Sequence, residues 1–204
     1  MKIRNVLINF LPVFVVVCLL GMAVAAESPL PFEDSATHLW GYKNPTGKVI
    51  IAPRFSAAES FSARGIAAVA DSSGWMYIDT KGTVLIRPFI FDNGPDPFQE
   101  GLARFTKNGK FGFFDEGARE IIPPRFDFAA PFSNGLAAFC SGCKEKKEGE
   151  HYAVEGGLWG FIDRQGAVVI PLKFEKSDSF EKGKAKVMLN GRRCFIDKQG
   201  NLVQ

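Results

Sequence analysis

The chain has 204 residues, 46% of them hydrophobic, and it sets 25 Lys and Arg against 22 Asp and Glu. That near-balance leaves no basic surplus to draw in a phosphate backbone, so nucleic acid is excluded as the main partner. The length suffices for one domain with a sizeable core.

Residues 1–26 read as a secretory signal peptide. Lys2 and Arg4 form a positive start, Val13 to Leu20 the centre of an apolar run, and Ala23-Val24-Ala25 or Val24-Ala25-Ala26 a cleavage site. Asn5, Asn9 and Pro12 cut the run to about 14 residues, short of the roughly 20 that a spanning helix needs. A lipoprotein reading of Cys18 lacks the small residue wanted just before it, since Val15-Val16-Val17 stand there. Cleavage leaves 23 basic against 22 acidic residues and implies a periplasmic or secreted protein with no membrane span. Residues 27–37, with Pro29 and Pro31, read as a linker to the domain at 38–204.

From Trp40 onward one phrase recurs: Trp-Gly-aromatic-Ile-Asp-x-x-Gly-x-Val-Ile-Pro, then x-Phe, Phe-x-x-Gly and Leu-Ala-x-Val. It starts at Trp40, Trp75, Phe111 and Trp159, and in truncated form at Arg193. A fixed period of this size marks a repeat architecture. It also disfavours an enzyme, because repetition supplies the same side chains many times rather than one asymmetric set. The class expected is all-β, built from tandem three-stranded antiparallel meanders in an open solenoid-like array. A small five-bladed propeller is the alternative.

Within a repeat, Ile66-Ala67-Ala68-Val69 and Leu136-Ala137-Ala138-Phe139 alternate as a half-buried strand does. Ala67 with Val69, Ala103 with Phe105, Ala137 with Phe139 and Ala185 with Val187 should share the core face. Asn108-Gly109 and Asn190-Gly191 suit two-residue type I′ hairpins. Asp79 to Gly82, Asp163 to Gly166, Asp197 to Gly200 and Asn44 to Gly47 suit hairpins with a glycine bulge. Asp115-Glu116-Gly117 brings its glycine one place early, so a different turn is expected there. Pro53, Pro123 and Pro171 should close the third strands. Each connector carries two aromatic pegs: Phe55 and Phe61, Phe126 and Phe132, Phe174 and Phe180, with Ile90 and Phe98 in repeat two. The last copy charges its outer face with Lys184 and Lys186, as a terminal repeat should.

The phrase, clearest from Leu158 to Pro171 and from Pro131 to Ala138, resembles the bacterial WG (or KWG) repeat family over about 165 residues. Met76 and Cys194 depart from its glycine, Phe111 and Arg193 from its tryptophan. The resemblance implies an exported β-rich repeat protein and brings no catalytic residues.

One irregularity remains: an inserted hairpin at 140–157, about 13 residues longer than other copies allow. In an oxidising compartment a Cys140–Cys143 disulfide closing its base is the plain reading. Thiol exchange would need the first sulfur at a helix N-terminus. Metal binding would enlist Cys140, Cys143, His151 and Cys194, but a second Cys-x-x-Cys is absent. No catalytic set, metal site or cofactor is therefore expected. The repeated Asp79, Asp115, Asp163 and Asp197 have a turn role, and Trp40, Trp75 and Trp159 a packing role. The function expected is that of a non-enzymatic binding or scaffolding protein with a protein partner, or alternatively of a cell-envelope carbohydrate-binding protein.

Overall fold

The computed structural model describes residues 28–148 and 151–203, so the signal-peptide reading lies outside the described residues. What is described is all-β, and none of it is a helix able to cross a membrane. Unit one pairs β1 (Leu30–Glu33), β2 (Trp40–Lys43) and β3 (Val49–Phe55). Unit two holds β4 (Ala57–Ala58), β5 (Ile66–Asp71), β6 (Gly74–Asp79) and β7 (Val84–Ile86), followed by a small hairpin of β8 (Ile90–Phe91) and β9 (Gly94–Pro95). Unit three is β10 (Leu102–Lys107), β11 (Lys110–Asp115) and β12 (Glu120–Phe126). Unit four is β13 (Phe128–Ala129), β14 (Ala137–Glu148), β15 (His151–Ile162) and β16 (Val168–Phe174). Unit five is β17 (Lys176–Ser177), β18 (Ala185–Leu189), β19 (Arg192–Ile196) and β20 (Leu202–Val203).

The expected meanders are present, with two additions. A short strand from the connector joins units two, four and five at the first strand, as in Ala57↔Ala70 and Phe128↔Cys140. In unit one, Leu30–Glu33 fills the first-strand place against β2, so this stretch of the expected linker is part of the array.

Four cores hold the units, and each lies between consecutive ones. Tyr42, Ile51 and Phe55 of unit one meet Ala67, Val69, Met76 and Ile78 of unit two. Tyr77 and Ile86 of unit two meet Ala103 and Phe105 of unit three. Phe111 and Phe113 then meet Ala137 and Phe139, and Trp159 and Phe161 meet Ala185 and Val187. The face carrying the Ala/Val/Phe pairs thus looks to the preceding unit, as the alternation predicts. No core joins unit one to unit five among the described residues, and the array is open rather than a five-bladed ring. Each fully buried phenylalanine contributes about 1.5–3 kcal/mol, which one isolated meander could not realise.

The pegs work across these interfaces. Phe61 covers Tyr42 at 4.7 Å between ring centres, Phe98 covers Tyr77 at 6.0 Å, Phe132 covers Phe113 at 4.8 Å and Phe180 covers Phe161 at 4.7 Å. Ile90 is not a peg. It lies exposed in the β8–β9 hairpin, and buried Pro88 takes the position instead. The residue after each first peg donates its N–H to the adjoining first strand: Ser56 to Ala70, Asp127 to Cys140, Glu175 to Met188. In repeat two Phe89 does so, to Arg104.

The prolines do not close the third strands. Along β2 and β3, Trp40↔Phe55 is followed by Tyr42↔Ile51, so β3 bulges outward between these pairs, and Pro53 sits inside the bulge. Phe111↔Phe126 with Phe113↔Ile122, and Trp159↔Phe174 with Phe161↔Ile170, repeat the pattern. A bulge frees the proline from supplying a ladder N–H. It also explains the glycine of the Trp-Gly pair, over which the bulged backbone folds. A Cβ on Gly160 would stand 2.5 Å from the Ile170 carbonyl oxygen, and one on Gly41 2.5 Å from that of Ile51. Where Met76 replaces this glycine, β7 stops at Ile86 and the chain leaves into the β8–β9 hairpin.

The bulge presents a basic residue to the next unit. Arg54 donates to the Gly82 carbonyl at 2.8 Å, Arg125 to Gly166 at 2.5 Å and Lys173 to Gly200 at 3.3 Å. Each cation also lies over the ring of the following phenylalanine, 4.9–5.1 Å from its centre.

Turn chemistry follows the sequence with one correction. Asn108-Gly109 and Asn190-Gly191 have positive φ at both positions, as type I′ requires. The turn at Asp115 is not of a different kind: Ala118, at φ 56°, fills the left-handed place that Gly82 and Gly166 hold elsewhere. Its N–H bonds the Asp115 carbonyl at 2.8 Å, the bond Gly166 makes to Asp163 at 2.9 Å. Unit five buries Ala185 and Val187 and exposes Lys184 and Lys186, matching the expected terminal polarity.

Candidate functional site

The repeated aspartates are occupied by their own turns. Asp79 Oδ1 accepts the N–H groups of Lys81 and Thr83, Asp163 Oδ1 those of Gln165 and Ala167, and Asp197 Oδ1 those of Gln199 and Asn201. Asp115 Oδ1 accepts from Gly117 and Arg119, and its other oxygen takes the Arg119 guanidinium at 2.6 Å. The Asn201 N–H leads in holding the Asp197 carboxyl below its ordinary range. For Asp79 and Asp115 burial pushes upward and is outweighed, by the Thr83 and Lys81 bonds in one case and by Arg119 in the other. Each of these carboxylates accepts backbone N–H groups at its own turn, and for Asp79, Asp115 and Asp197, held below the ordinary range, that disfavours a role as general acid at neutral pH. His38 is exposed, its Nδ1 3.1 Å from Glu33 Oε1. Trp159 is buried in the core between units four and five and Trp40 is half-buried against that between units one and two, whereas Trp75 is half-buried outside the four cores, its indole N–H on the Asn93 carbonyl.

The insertion is a long two-stranded hairpin, β14 paired to β15 from Ala137↔Ile162 to Glu148↔His151. Cys140 and Cys143 form a disulfide, but it does not close the hairpin base across the strands. It joins two places on β14 itself, with Cα atoms 6.1 Å apart. An extended strand would separate residues three apart by about 10 Å. Gly142, at φ 80°, supplies the curl, facing Gly156 and Gly157 at φ 74° and 64°. The Gly142 N–H donates to Asp127 Oδ2 at 2.7 Å, and Lys110 pairs with the other Asp127 oxygen. The Lys110 ammonium, then the Gly142 N–H, hold the Asp127 carboxyl below its usual range. Both sulfurs are buried in the core between units four and five. Bonded to each other, they offer no thiolate to a metal or a substrate. Cys194 is a half-buried free thiol packed on the same core.

Sequence reasoning missed a buried ion pair. Arg104 and Asp96 are only 4% and 1% exposed. Arg104 Nε reaches Asp96 Oδ2 at 3.0 Å and Nη2 reaches Oδ1 at 2.6 Å, while Nη1 donates to the Ala129 carbonyl at 3.1 Å. The guanidinium lies 4.8 Å from the centre of the Phe89 ring. The signals were an arginine at the strand place of Ala68 and Ala138, and a connector lengthened by the β8–β9 hairpin. A notch of about 540 Å³ opens beside the pair, with Phe91, Phe128, Pro131 and Phe132 on its walls.

A second surface feature repeats with the units. The first residues of the third strands are exposed aliphatics: Val49 and Ile50, Val84 and Leu85, Ile121, Val168 and Val169, and Leu202. Each third strand is also the last strand of its sheet. The array therefore carries one apolar patch per unit along its third-strand margin.

No curated protein matches the chain. A solved structure, the crystal structure of the eukaryotic initiation factor, is similar with 13% identity and a TM-score of 0.36, over 89% of this chain and 56% of that one. The chain thus spans little more than half the length of that structure. The family model for the WG-containing repeat matches residues 40–70, 75–111, 111–142 and 159–192, well over half of the chain. Those four matches fall on the units with paired strands and shared cores, and the chain belongs to the WG-containing repeat family.

Proposed function

We propose that the chain is exported and acts as a non-enzymatic binding or scaffolding module of the cell envelope, periplasmic or secreted, that holds a protein partner. The reading rests on the exposed aliphatic row, Val49–Ile50 to Leu202, which recurs unit by unit on sheet edges. Apolar patches with a regular spacing match the alternating side chains of another protein better than a polar glycan. Among the described residues, the repeated aspartates are engaged by their own turns, Arg104 and Asp96 by each other, and Cys140 and Cys143 by a disulfide.

A carbohydrate ligand is the second reading, since Phe91 and Phe195 are exposed rings at 56% and 46%. Two exposed rings in separate parts of the array make a poorer platform than the aliphatic row. Retention of partners from envelope extract, run beside retention on insoluble peptidoglycan and glycan beads, separates the two. Val49→Lys with Val168→Lys should abolish retention of the protein partner and leave the fold intact. Retention on glycan beads that Phe91→Ala removes would overturn the protein-binding reading.

A further inference from the structure

In four of the five units the aromatic residue two places after the start of the repeat phrase is covered by a phenylalanine peg. Tyr42, Tyr77, Phe113 and Phe161 lie under Phe61, Phe98, Phe132 and Phe180, and three of the four are fully buried. Phe195 holds the same place in unit five and is 46% exposed, with no such cover among the described residues. Its face is defined by the ladder. Lys186 pairs with Phe195 and Met188 with Arg193, so these four side chains stand together on the side away from unit four. Ala185, Val187 and Ile196 take the opposite side and are buried. Arg193 is exposed and has no ion-pair partner among the described residues, whereas Lys186 on the same face is paired with Asp178 at 3.1 Å.

We propose that this face of unit five is a docking site for an extended acidic segment of another protein that carries a phenylalanine. The proposal deepens the protein-binding reading and rests on it. The phenylalanine would cover Phe195 as Phe180 covers Phe161, so the contact continues an interface the array already makes four times. The charge follows from the surroundings, because a neutral or basic segment would leave Arg193 without a counter-charge. The pegs of this chain supply a template. Glu59, Asp96 and Asp178 each stand two residues before a peg phenylalanine, Phe61, Phe98 and Phe180.

The test is an amide chemical-shift titration of the purified protein with the peptide Ser-Asp-Ser-Phe-Glu, the order found at residues 177–181. Saturable shifts centred on Arg193 and Phe195 are expected. Phe195→Ala and Arg193→Glu should each weaken binding at least fivefold while melting within about 2 °C of the parent. A peptide with alanine for phenylalanine, or with lysines for both acids, should bind at least fivefold more weakly. Absence of saturable shifts, or binding indifferent to both variants, overturns the proposal. So does self-association that Phe195→Ala abolishes, because the occupant would then be a second copy. Retention of a partner through the Val49 and Val168 surface without any peptide binding would sink this inference and leave the functional reading standing.

Discussion

Gly160→Ala isolates one physical effect. Gly160 has an ordinary negative φ, so the added methyl meets no backbone strain of its own. What it meets is backbone: the Ile170 carbonyl oxygen at 2.5 Å, the Pro171 carbonyl carbon at 3.0 Å and the Leu172 nitrogen at 3.1 Å. A comfortable carbon–oxygen contact is about 3.3 Å or more, so the bulge of β16 must retreat by most of an ångström. Overpacking costs about 1–3 kcal/mol, and the upper end applies when the obstacle is backbone rather than a side chain that can rotate. Stiffening the unfolded chain returns about 0.4–1 kcal/mol, which leaves a net loss of about 2 kcal/mol. For a protein of this length that lowers Tm by about 4–8 °C. Gly94→Ala is the control, since a Cβ there has nothing within 4 Å. Its Tm should stay within about 1 °C or rise slightly. Both are read by thermal unfolding in circular dichroism. If Gly160→Ala melts with the parent protein, the glycine is not there to admit the proline bulge, and that account of the Trp-Gly pair fails.

Four further outcomes rest on the same contacts. Arg104→Ala strands the Asp96 carboxylate in the interior and should cost about 3–5 kcal/mol in urea unfolding, whereas Lys186→Ala, from an exposed pair, should cost under about 1 kcal/mol. Ala118→Gly removes a left-handed alanine, worth about 1–2 kcal/mol, against the added freedom of glycine, so Tm should rise by about 1–2 °C. Acid should unfold the protein through its turns. The Asp79, Asp115, Asp127 and Asp197 carboxyls have folded values below their ordinary ones, so the unfolded chain binds more protons as pH falls. Their stabilisation is complete above about pH 4–5 and is lost below it, and Tm measured from pH 7 to 2 should be flat and then drop. Reduction of Cys140–Cys143 opens a loop of very few residues, so the loss should be about 2 kcal/mol or less, measured as the change in urea midpoint with and without dithiol.

Much of this fold is legible because the repeat phrase states its own chemistry five times. Alternation places Ala67 and Val69 on the right face, and Asp-x-x-Gly marks the turns. The differences between sequence and structure share a cause: long-range pairing decides what local sequence alone suggests otherwise. Proline forbids a ladder bond, which locally reads as the end of a strand. The structure satisfies the same prohibition by bulging β3, β12 and β16 over a glycine about a dozen residues earlier. A glycine one place early at Gly117 suggests a new turn, yet the surrounding ladder holds Ala118 at positive φ in the old one. Leu30–Glu33 has Pro31 within it and Pro29 just before it, as a linker would, and becomes a strand because β2 offers it an open edge. The Arg104–Asp96 pair is hidden in the sequence because opposite charges eight positions apart carry no periodic signal.

The departures from the phrase also explain where the array has been modified. Met76 is buried where the other units have the glycine, and β7 ends at Ile86 with a register shift only between Tyr77 and Ile78, without the wider bulge that carries a basic residue to the next unit elsewhere. Among the described residues units two and three consequently share the leanest core, with Ala103, Phe105 and Phe114 as its buried members. The residues diverted from the third strand do not go unused. The β8–β9 hairpin receives the Trp75 indole N–H on the Asn93 carbonyl at 3.2 Å, which ties unit two to the connector. Asp96 comes directly after it and grips Arg104 of unit three, whose remaining N–H reaches Ala129 of unit four. A stack whose stability is the sum of neighbour contacts is limited by its weakest interface, so a lost bulge there must be offset nearby. A buried charge pair is a costly substitute for apolar packing. Its presence beside the irregular repeat is a matter of geometry, since a connector lengthened by a hairpin brings an aspartate, not a ring, against β10.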